Sequence, residues 1–143
     1  MWKHDKVTLN ENTPNVTKTA VAAAAALSEF MSYQVPYASR MIIEPNDYAF
    51  MHLADATGPI ADGSRVVIQV TDSVGRRSQY YADAGYKTFQ EEQDVTKKYF
   101  FGQHIEVKAN WKIKLLAAPV TNGIATATYR FAISCTLVYE TLD

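Results

Sequence analysis

Apolar and polar residues alternate almost without interruption over residues 125–142, close to the end of the chain. A period of two is typical of a β-strand that buries one face. The pattern therefore predicts one very long strand, about 60 Å at 3.4 Å per residue. Its odd positions face a core, and Cys135 is predicted to be a small buried side chain there rather than a reactive thiol. The even positions are mostly Thr, Ser and Ala, which is typical of a face that packs against another protein surface or a second sheet.

A second alternating run covers residues 103–115, with apolar side chains at the odd positions from 105 onward and polar ones at the even positions. The Asn122-Gly123 pair between the two runs is a strong hairpin signal. A two-residue loop at this pair would place odd residues opposite even ones and join a core face to a solvent face, so we expect a wider loop or a bulge between Ala117 and Gly123. We predict that the two runs pair as a long antiparallel ribbon.

Shorter strands are predicted in the middle of the chain, over residues 40–44, 48–53 and 65–71, with residues 77–82 returning antiparallel to the last of these. Pro45-Asn46-Asp47 and residues 72–75 are turn signals between them. Residues 85–96 are charged and irregular. Their acidic group, Glu91, Glu92 and Asp94, has no Gly-containing calcium loop around it and predicts a solvated loop.

The first 38 residues differ in texture from the rest. Residues 1–18 are polar and predict an extended arm, whose few apolar side chains are Trp2, Val7, Leu9 and Val16. The alanine-rich stretch over residues 19–31 predicts a short helix, with an extended path bound to a partner as the alternative. We therefore divide the chain into an arm and connector over residues 1–38 and a β-domain over residues 39–143.

Composition excludes several classes of protein. The 14 basic and 15 acidic residues nearly cancel, so no overall field draws the chain to nucleic acid or to an anionic membrane. The polar N-terminus predicts no signal peptide, and no apolar run approaches the ~20 residues of a membrane span. One cysteine allows no intrachain disulfide.

Candidate chemistry is sparse. His4, His52 and His104 are far apart and show no metal-ligand spacing, and no nucleophile elbow or glycine-rich phosphate loop is present. We predict no catalytic residue, no cofactor and no metal. The aromatic groups Tyr80-Tyr81 and Tyr99-Phe101 suit a recognition platform, or a core ring beside one that covers a sheet edge; the second interpretation is favoured because no basic stripe lies beside them.

The layout of a polar arm, an alanine-rich connector and an antiparallel β-domain that ends in a long strand resembles small virion structural proteins. It is similar to the capsid decoration (cement) proteins of tailed phages and to small jelly-roll capsid proteins. The resemblance implies a mainly β fold, an antiparallel sandwich or barrel of the jelly-roll kind, in a virion protein made in the host cytoplasm. It also implies a non-enzymatic homo-oligomer, often a trimer, that stabilises a shell by contacts with other capsid proteins.

The arm residues predicted to make those contacts are Trp2, Val7, Leu9 and Val16; the alternative for Trp2 is that it folds back on its own domain. No direct contact with nucleic acid or membrane is expected. The alternative function is a β-sandwich module that binds a ligand or carbohydrate through the tyrosine and phenylalanine groups. An enzyme is the third and least favoured hypothesis.

Overall fold

The computed structural model describes residues 1–21, 26–55, 58–61, 63–89, 98–120, 123–124 and 130–140. Thirteen strands and one 3₁₀ helix, Tyr86–Thr88, are present in this part of the chain. The strands are β1 Trp2–Asn10, β2 Val16–Lys18, β3 Ser28–Gln34, β4 Ser39–Ile43, β5 Tyr48–His52, β6 Ala54–Asp55, β7 Gly58–Pro59, β8 Arg65–Thr71, β9 Ser78–Gly85, β10 Tyr99–Phe100, β11 Ile105–Val107, β12 Lys112–Ala118 and β13 Arg130–Glu140. No helix in the described ranges is long and apolar enough to cross a membrane.

The first sheet is built around β13. Strand β1 lies antiparallel along one edge of β13, with Trp2 opposite Glu140 and Asn10 opposite Ala132. Strands β4 and β5 follow one another along the other edge, so they act as one long strand interrupted by residues 44–47. Strands β10 and β11 pair with β5 and β4 in the same way and form the far edge.

The second sheet has the order β2-β3-β12-β8-β9. All its pairs are antiparallel, and β8 and β9 form a hairpin. A bulge interrupts the pairing of β3 with β12, since Leu115 lies opposite Met31 whereas Leu116 lies opposite Glu29. The inserted residue, Phe30, is therefore buried together with its neighbour Met31.

Together the two sheets make a jelly roll. When the interrupted strands are counted as one, and the short strand β2 and the β6–β7 pair are set aside, the first sheet has the order β1, β13, β4–β5, β10–β11 and the second the order β3, β12, β8, β9. Except within the β8–β9 hairpin, each of these strands is followed in the chain by one in the other sheet. This is the arrangement of two interlocked Greek keys, and it confirms the predicted mainly β, jelly-roll-like fold.

One hydrophobic core fills the space between the sheets. The first sheet contributes alternate residues of its strands, and the second does the same. The first sheet contributes Met41, Met51, Ile133 and Cys135 to this core, and the second sheet contributes Ile68, Ile113 and Leu115. The predicted inward face of the last strand is confirmed at Phe131, Ile133 and Cys135, with Leu137 packed partly against the core, and the predicted burial of Cys135 is confirmed with it. Tyr139 lies outside the core, and Ala132, Ser134 and Val138 of the opposite parity are buried as well.

The helix prediction for residues 19–31 is wrong for the part that the structure describes. Residues 28–31 belong to β3, and Val21 forms an isolated antiparallel bridge with Ile124. The four alanines at 22–25 lie outside the described residues. Strand pairing outweighs the helix propensity of this segment. The bulge in β3 allows the two consecutive residues Phe30 and Met31 both to enter the core.

The predicted ribbon between residues 103–115 and the last strand is also wrong. The alternating run is two strands in different sheets, β11 in the first and β12 in the second. The chain turns between them at Asn110, which has a positive φ of 67°. Strand β13 instead pairs with β1, β4 and β5. Parity is unchanged across this corner, so the pattern alone does not reveal it.

The shorter strand predictions are confirmed to within a few residues. Strands β4, β5 and β8 match the ranges predicted for them, and β9 returns antiparallel to β8. Residues 125–129 and 141–142 of the predicted final strand lie outside the described residues, as do Asn122 and the acidic group at 91, 92 and 94.

Candidate functional site

The predicted arm residues fall at four different positions in the sheets. Trp2 begins β1 and is 55% exposed, whereas Leu9, near the end of the same strand, is 1% exposed in the core. Val7 and Val16 are half-buried and pack against that core. Their predicted contacts with neighbouring subunits, and the division of the chain at residue 38, stay predictions about an assembly. Within one chain, residues 2–10 form a sheet strand.

A buried carboxylate ties β1 to its sheet. Asp47, at the end of the interruption between β4 and β5, is 2% exposed. It accepts hydrogen bonds from the backbone N–H of Glu44 and from the Ser134 hydroxyl, both at 2.8 Å, and it forms an ion pair with the Lys6 ammonium of β1. Burial acts to raise the pKa of Asp47, but these hydrogen bonds outweigh it and hold the pKa below its ordinary value. We call Lys6, Asp47 and Ser134 the β1 clip.

Cys135, next to Ser134 in β13, is buried and chemically unreactive. Its side chain is buried, and burial, with a smaller contribution from the Asp47 charge, raises the pKa of the thiol to about 12. A thiolate is the nucleophilic form, so this thiol is unreactive near neutral pH. Among the described residues, no group of three or more His, Cys, Asp or Glu side chains is placed to hold a metal ion.

Aromatic side chains cover part of the outer face of the first sheet. Tyr48 and Phe50 of β5 stack with their ring centroids 5.9 Å apart, and Phe100 of β10 meets Tyr48 edge-on at 6.3 Å. Phe100 is 56% exposed. The Lys98 ammonium lies 4.4 Å from the centre of the Tyr48 ring. We call Tyr48, Phe50 and Phe100 the aromatic face.

The predicted aromatic groups divide as the favoured interpretation requires. In the group at residues 99–101, Phe101 is buried in the core and Phe100 is exposed on the sheet surface. Tyr80 is exposed, and its neighbour Tyr81 is half-buried against the core. The sequence analysis did not single out Tyr48 and Phe50, although both occupy even positions of a correctly predicted strand.

Exposed apolar residues also mark one end of the sandwich. The loops after β3, β8 and β11 lie at this end, and so does the start of β1. Tyr37, in the loop after β3, is 85% exposed, and Val74, in the loop after β8, is also exposed. Trp2 lines a shallow pocket of about 220 Å³ together with Arg40, Lys108 and the backbone that follows Tyr37.

No family model matches the chain, and no curated protein matches its sequence. Solved structures do share its architecture. The chain superposes on VP17, a capsid protein of bacteriophage P23-77, with a TM-score of 0.65 and 6% identity over 96% of each chain. This chain has the fold of a phage capsid protein. In the complex of VP16 and VP17, the two major capsid proteins of that phage, the match has a TM-score of 0.64 and 7% identity over 96% of this chain and 98% of the other.

The identity is low and the coverage is nearly complete in both chains, so the likeness is one of fold. It confirms the resemblance to small jelly-roll capsid proteins at that level. No site residue is transferred by it. The features that bear on function are therefore those of this chain: the edge strand β1, the β1 clip, the aromatic face, and the end of the sandwich where Trp2, Tyr37 and Val74 are exposed.

Proposed function

We propose that this protein is a structural subunit of a viral capsid and that it acts without catalysis. The observation that supports the proposal best is the jelly roll itself, which superposes over nearly its whole length on a phage capsid protein of almost the same extent. The rest of the support comes from the surface.

The exposed surface suits contacts with other proteins. Aromatic side chains are enriched at protein interfaces, and exposed aromatic clusters on soluble monomers commonly mark an interaction site. The aromatic face covers part of the outer surface of the first sheet, and Trp2 and Tyr37 are exposed at one end of the sandwich. A subunit in a closed shell needs contacts on several sides. The aromatic face and the end that carries Trp2 and Tyr37 are two different surfaces, so they could contact two different neighbours.

We also propose that the start of β1 is the part of the predicted arm that reaches other subunits. Residues 2–6 are exposed, whereas Leu9 is already used in the chain's own core. Trp2 is therefore available for contact with another subunit, whereas Leu9 packs in the core of its own subunit and stabilises it. We include in this proposal that the protein acts as a capsid decoration protein and that it forms homo-oligomers such as trimers.

The experiment is mass spectrometry of purified particles from cultures that carry the gene. We expect the protein in many copies per particle, at a fixed ratio to the other shell proteins. A matched chain from the same host that is abundant but unrelated serves as the control for carry-over. Absence from the particles, or presence only at the level of the control, would contradict the proposal.

A carbohydrate-binding module is the second candidate, and the aromatic face is the observation that favours it. Flat aromatic rings on a sheet can stack against sugar rings, and Tyr48, Phe50 and Phe100 offer such a surface. A glycan array probed with the protein tests this function. The matched variant Phe100→Ala should lose any binding, because it removes one ring of the aromatic face. It should still fold, because Phe100 is exposed and lies outside the core. The absence of any signal from the unchanged protein would remove this candidate.

A further inference from the structure

Strand β1 has an outer edge that carries no strand in the described part of the molecule. β1 pairs with β13 along its inner edge over all nine of its residues. The side chains of residues 2–6 are exposed on both faces of the sheet, so the second sheet does not cover this half of the strand. An open edge presents backbone N–H and C=O groups that can pair with another strand.

The sequence of this edge restricts which strand fits. Two copies related by a two-fold axis extend one sheet when their β1 strands pair antiparallel and the axis is perpendicular to the sheet. Each face of the sheet must then continue across the junction. A residue therefore lies opposite one of the same parity in the second copy. The axis then lies midway between one residue of β1 and the same residue of the second copy, which face each other. Each register is named below by that residue.

The side chains distinguish the registers whose axis lies between Lys3 and Thr8. An axis at Lys3 or Lys6 places two ammonium groups opposite each other, and an axis at Asp5 does the same with two carboxylates. An axis at Val7 puts the Asp5 carboxylate opposite the apolar Leu9, and an axis at Thr8 places Lys3 and Asp5 opposite residues beyond Asn10, where β1 ends. Like charges that face each other across a strand pair are destabilising.

An axis at His4 places no two lysines and no two carboxylates opposite each other. Lys3 then lies opposite Asp5 of the second copy, and by symmetry the same pair forms twice. Trp2 lies opposite Lys6 of the second copy. The paired segment is residues 2–6, which is the part of β1 whose side chains are all exposed.

We propose that the β1 edge binds a second copy of this chain, with residues 2–6 antiparallel and His4 on the two-fold axis. The first sheets of the two copies then form one continuous sheet. This inference rests on the proposed function and adds to it the partner of this edge and the register of the contact.

The β1 clip prepares this edge for binding. The Lys6 ammonium is held by Asp47 across the outer face of the sheet, so the methylene groups of Lys6 are fixed beside the position that Trp2 of the second copy occupies. On the other face, the Tyr139 hydroxyl donates to the Asp5 carboxylate at 2.5 Å and holds its orientation. Little conformational freedom remains to be lost when the second strand arrives. The contact is small, so it forms at high local concentration, as within a shell.

A cysteine placed on the axis tests the register directly. Facing residues of an antiparallel pair have Cβ atoms about 4.5–5.5 Å apart, close to the separation in a disulfide. His4→Cys should therefore form a disulfide-linked dimer in a glutathione redox buffer at several hundred micromolar protein. Thr8→Cys is the matched control, since Thr8 lies on the same strand and face and is also exposed. Cys135 is buried in both variants and does not contribute.

We expect the rate of dimer formation of His4→Cys to exceed that of Thr8→Cys at least tenfold, as read on non-reducing gels and by mass spectrometry. Equal rates would overturn the proposal. A faster rate for Thr8→Cys would overturn the register and place the axis at Thr8.

Charge reversal provides a second test in the His4→Cys background. Lys3→Asp alone places two carboxylates opposite each other, and Asp5→Lys alone places two ammonium groups there. Each single change should slow dimer formation by roughly three- to tenfold, as expected for two exposed ion pairs. The double change Lys3→Asp, Asp5→Lys restores opposite charges and should restore the rate. If the double variant stays as slow as the singles while its circular dichroism and melting temperature match the parent, the proposal is wrong.

The two proposals fail separately. A protein that is abundant in particles but shows no excess cross-linking at His4 is a capsid subunit with a different contact at β1. A protein that cross-links at His4 but is missing from particles is a dimer with another function.

Discussion

Replacement of Asp47 should loosen β1 and destabilise the fold. Asp47→Ala removes the acceptor for three donors: the Glu44 N–H, the Ser134 hydroxyl and the Lys6 ammonium. Lys6 is largely exposed and regains water at little cost. The other two donors stay in a place that water does not easily reach, and an unsatisfied buried donor costs about 1–3 kcal/mol. We expect the free energy of unfolding to fall by about 2–4 kcal/mol.

Urea denaturation followed by circular dichroism measures this loss. Asp72→Ala is the matched control, because Asp72 also accepts a backbone N–H within a turn, that of Arg76 at 2.8 Å, but lies near the surface. The control should lose about 1 kcal/mol or less. Hydrogen exchange should accelerate in β1 of Asp47→Ala and stay unchanged in β8 and β12, which belong to the other sheet.

The pH dependence follows from the lowered pKa of Asp47. Between the folded and unfolded pKa values the unfolded state binds more protons, so stability rises with pH in that range. The contribution of Asp47 is therefore complete above the ordinary carboxyl pKa of about 4 and is lost as the pH falls through the lower folded value. The stability difference between the parent and Asp47→Ala should shrink below about pH 4. A difference under 0.5 kcal/mol at pH 7, with unchanged exchange in β1, would refute the role given to the clip, since about that much is within the range of ordinary surface substitutions.

Three further outcomes are expected. Tyr86→Phe should cost about 1–3 kcal/mol in urea denaturation, because the buried Tyr86 hydroxyl accepts the Leu53 N–H at 2.8 Å; a loss near zero would show that another group satisfies that N–H. Cys135 should resist a thiol reagent at pH 8 until urea unfolds the chain, and rapid labelling of the folded protein would contradict its burial. Asn110→Val should destabilise by about 1–3 kcal/mol and Asn110→Gly should not, because a β-branched residue is strained at a φ of 67°; equal melting temperatures would contradict the corner.

Alternation predicted which segments are strands and which side faces the core. The inward residues Ile133 and Cys135 and the range of β8 were predicted correctly from pattern alone. These properties are local, since a strand with one buried face needs only a period of two. The helix assigned to residues 19–31 fails because propensity was the only guide there, and burial of Phe30 and Met31 in a bulged strand outweighs it.

The features of the candidate site were harder to predict. Asp47 was assigned only to a turn, since nothing in Pro45-Asn46-Asp47 indicates a carboxylate that is reached by Lys6 and Ser134. The three residues are separated by at least 40 positions in the chain and meet only because β4–β5 and β1 flank β13. Trp2 was predicted to contact a partner or to fold back on its own domain; it is 55% exposed in this chain, and its contact with a partner stays a prediction.

The sequence alone determined that this is a mainly β chain with a long final strand and an apolar inward face. Only the tertiary structure decided the partners of that strand. The run over residues 103–115 keeps one parity while the chain turns at Asn110 and passes from one sheet to the other, so a pattern along the chain cannot tell one long strand from two. Pairing is decided by packing between distant segments, and that packing gave β13 the neighbours β1, β4 and β5. The same arrangement left β1 as an edge strand.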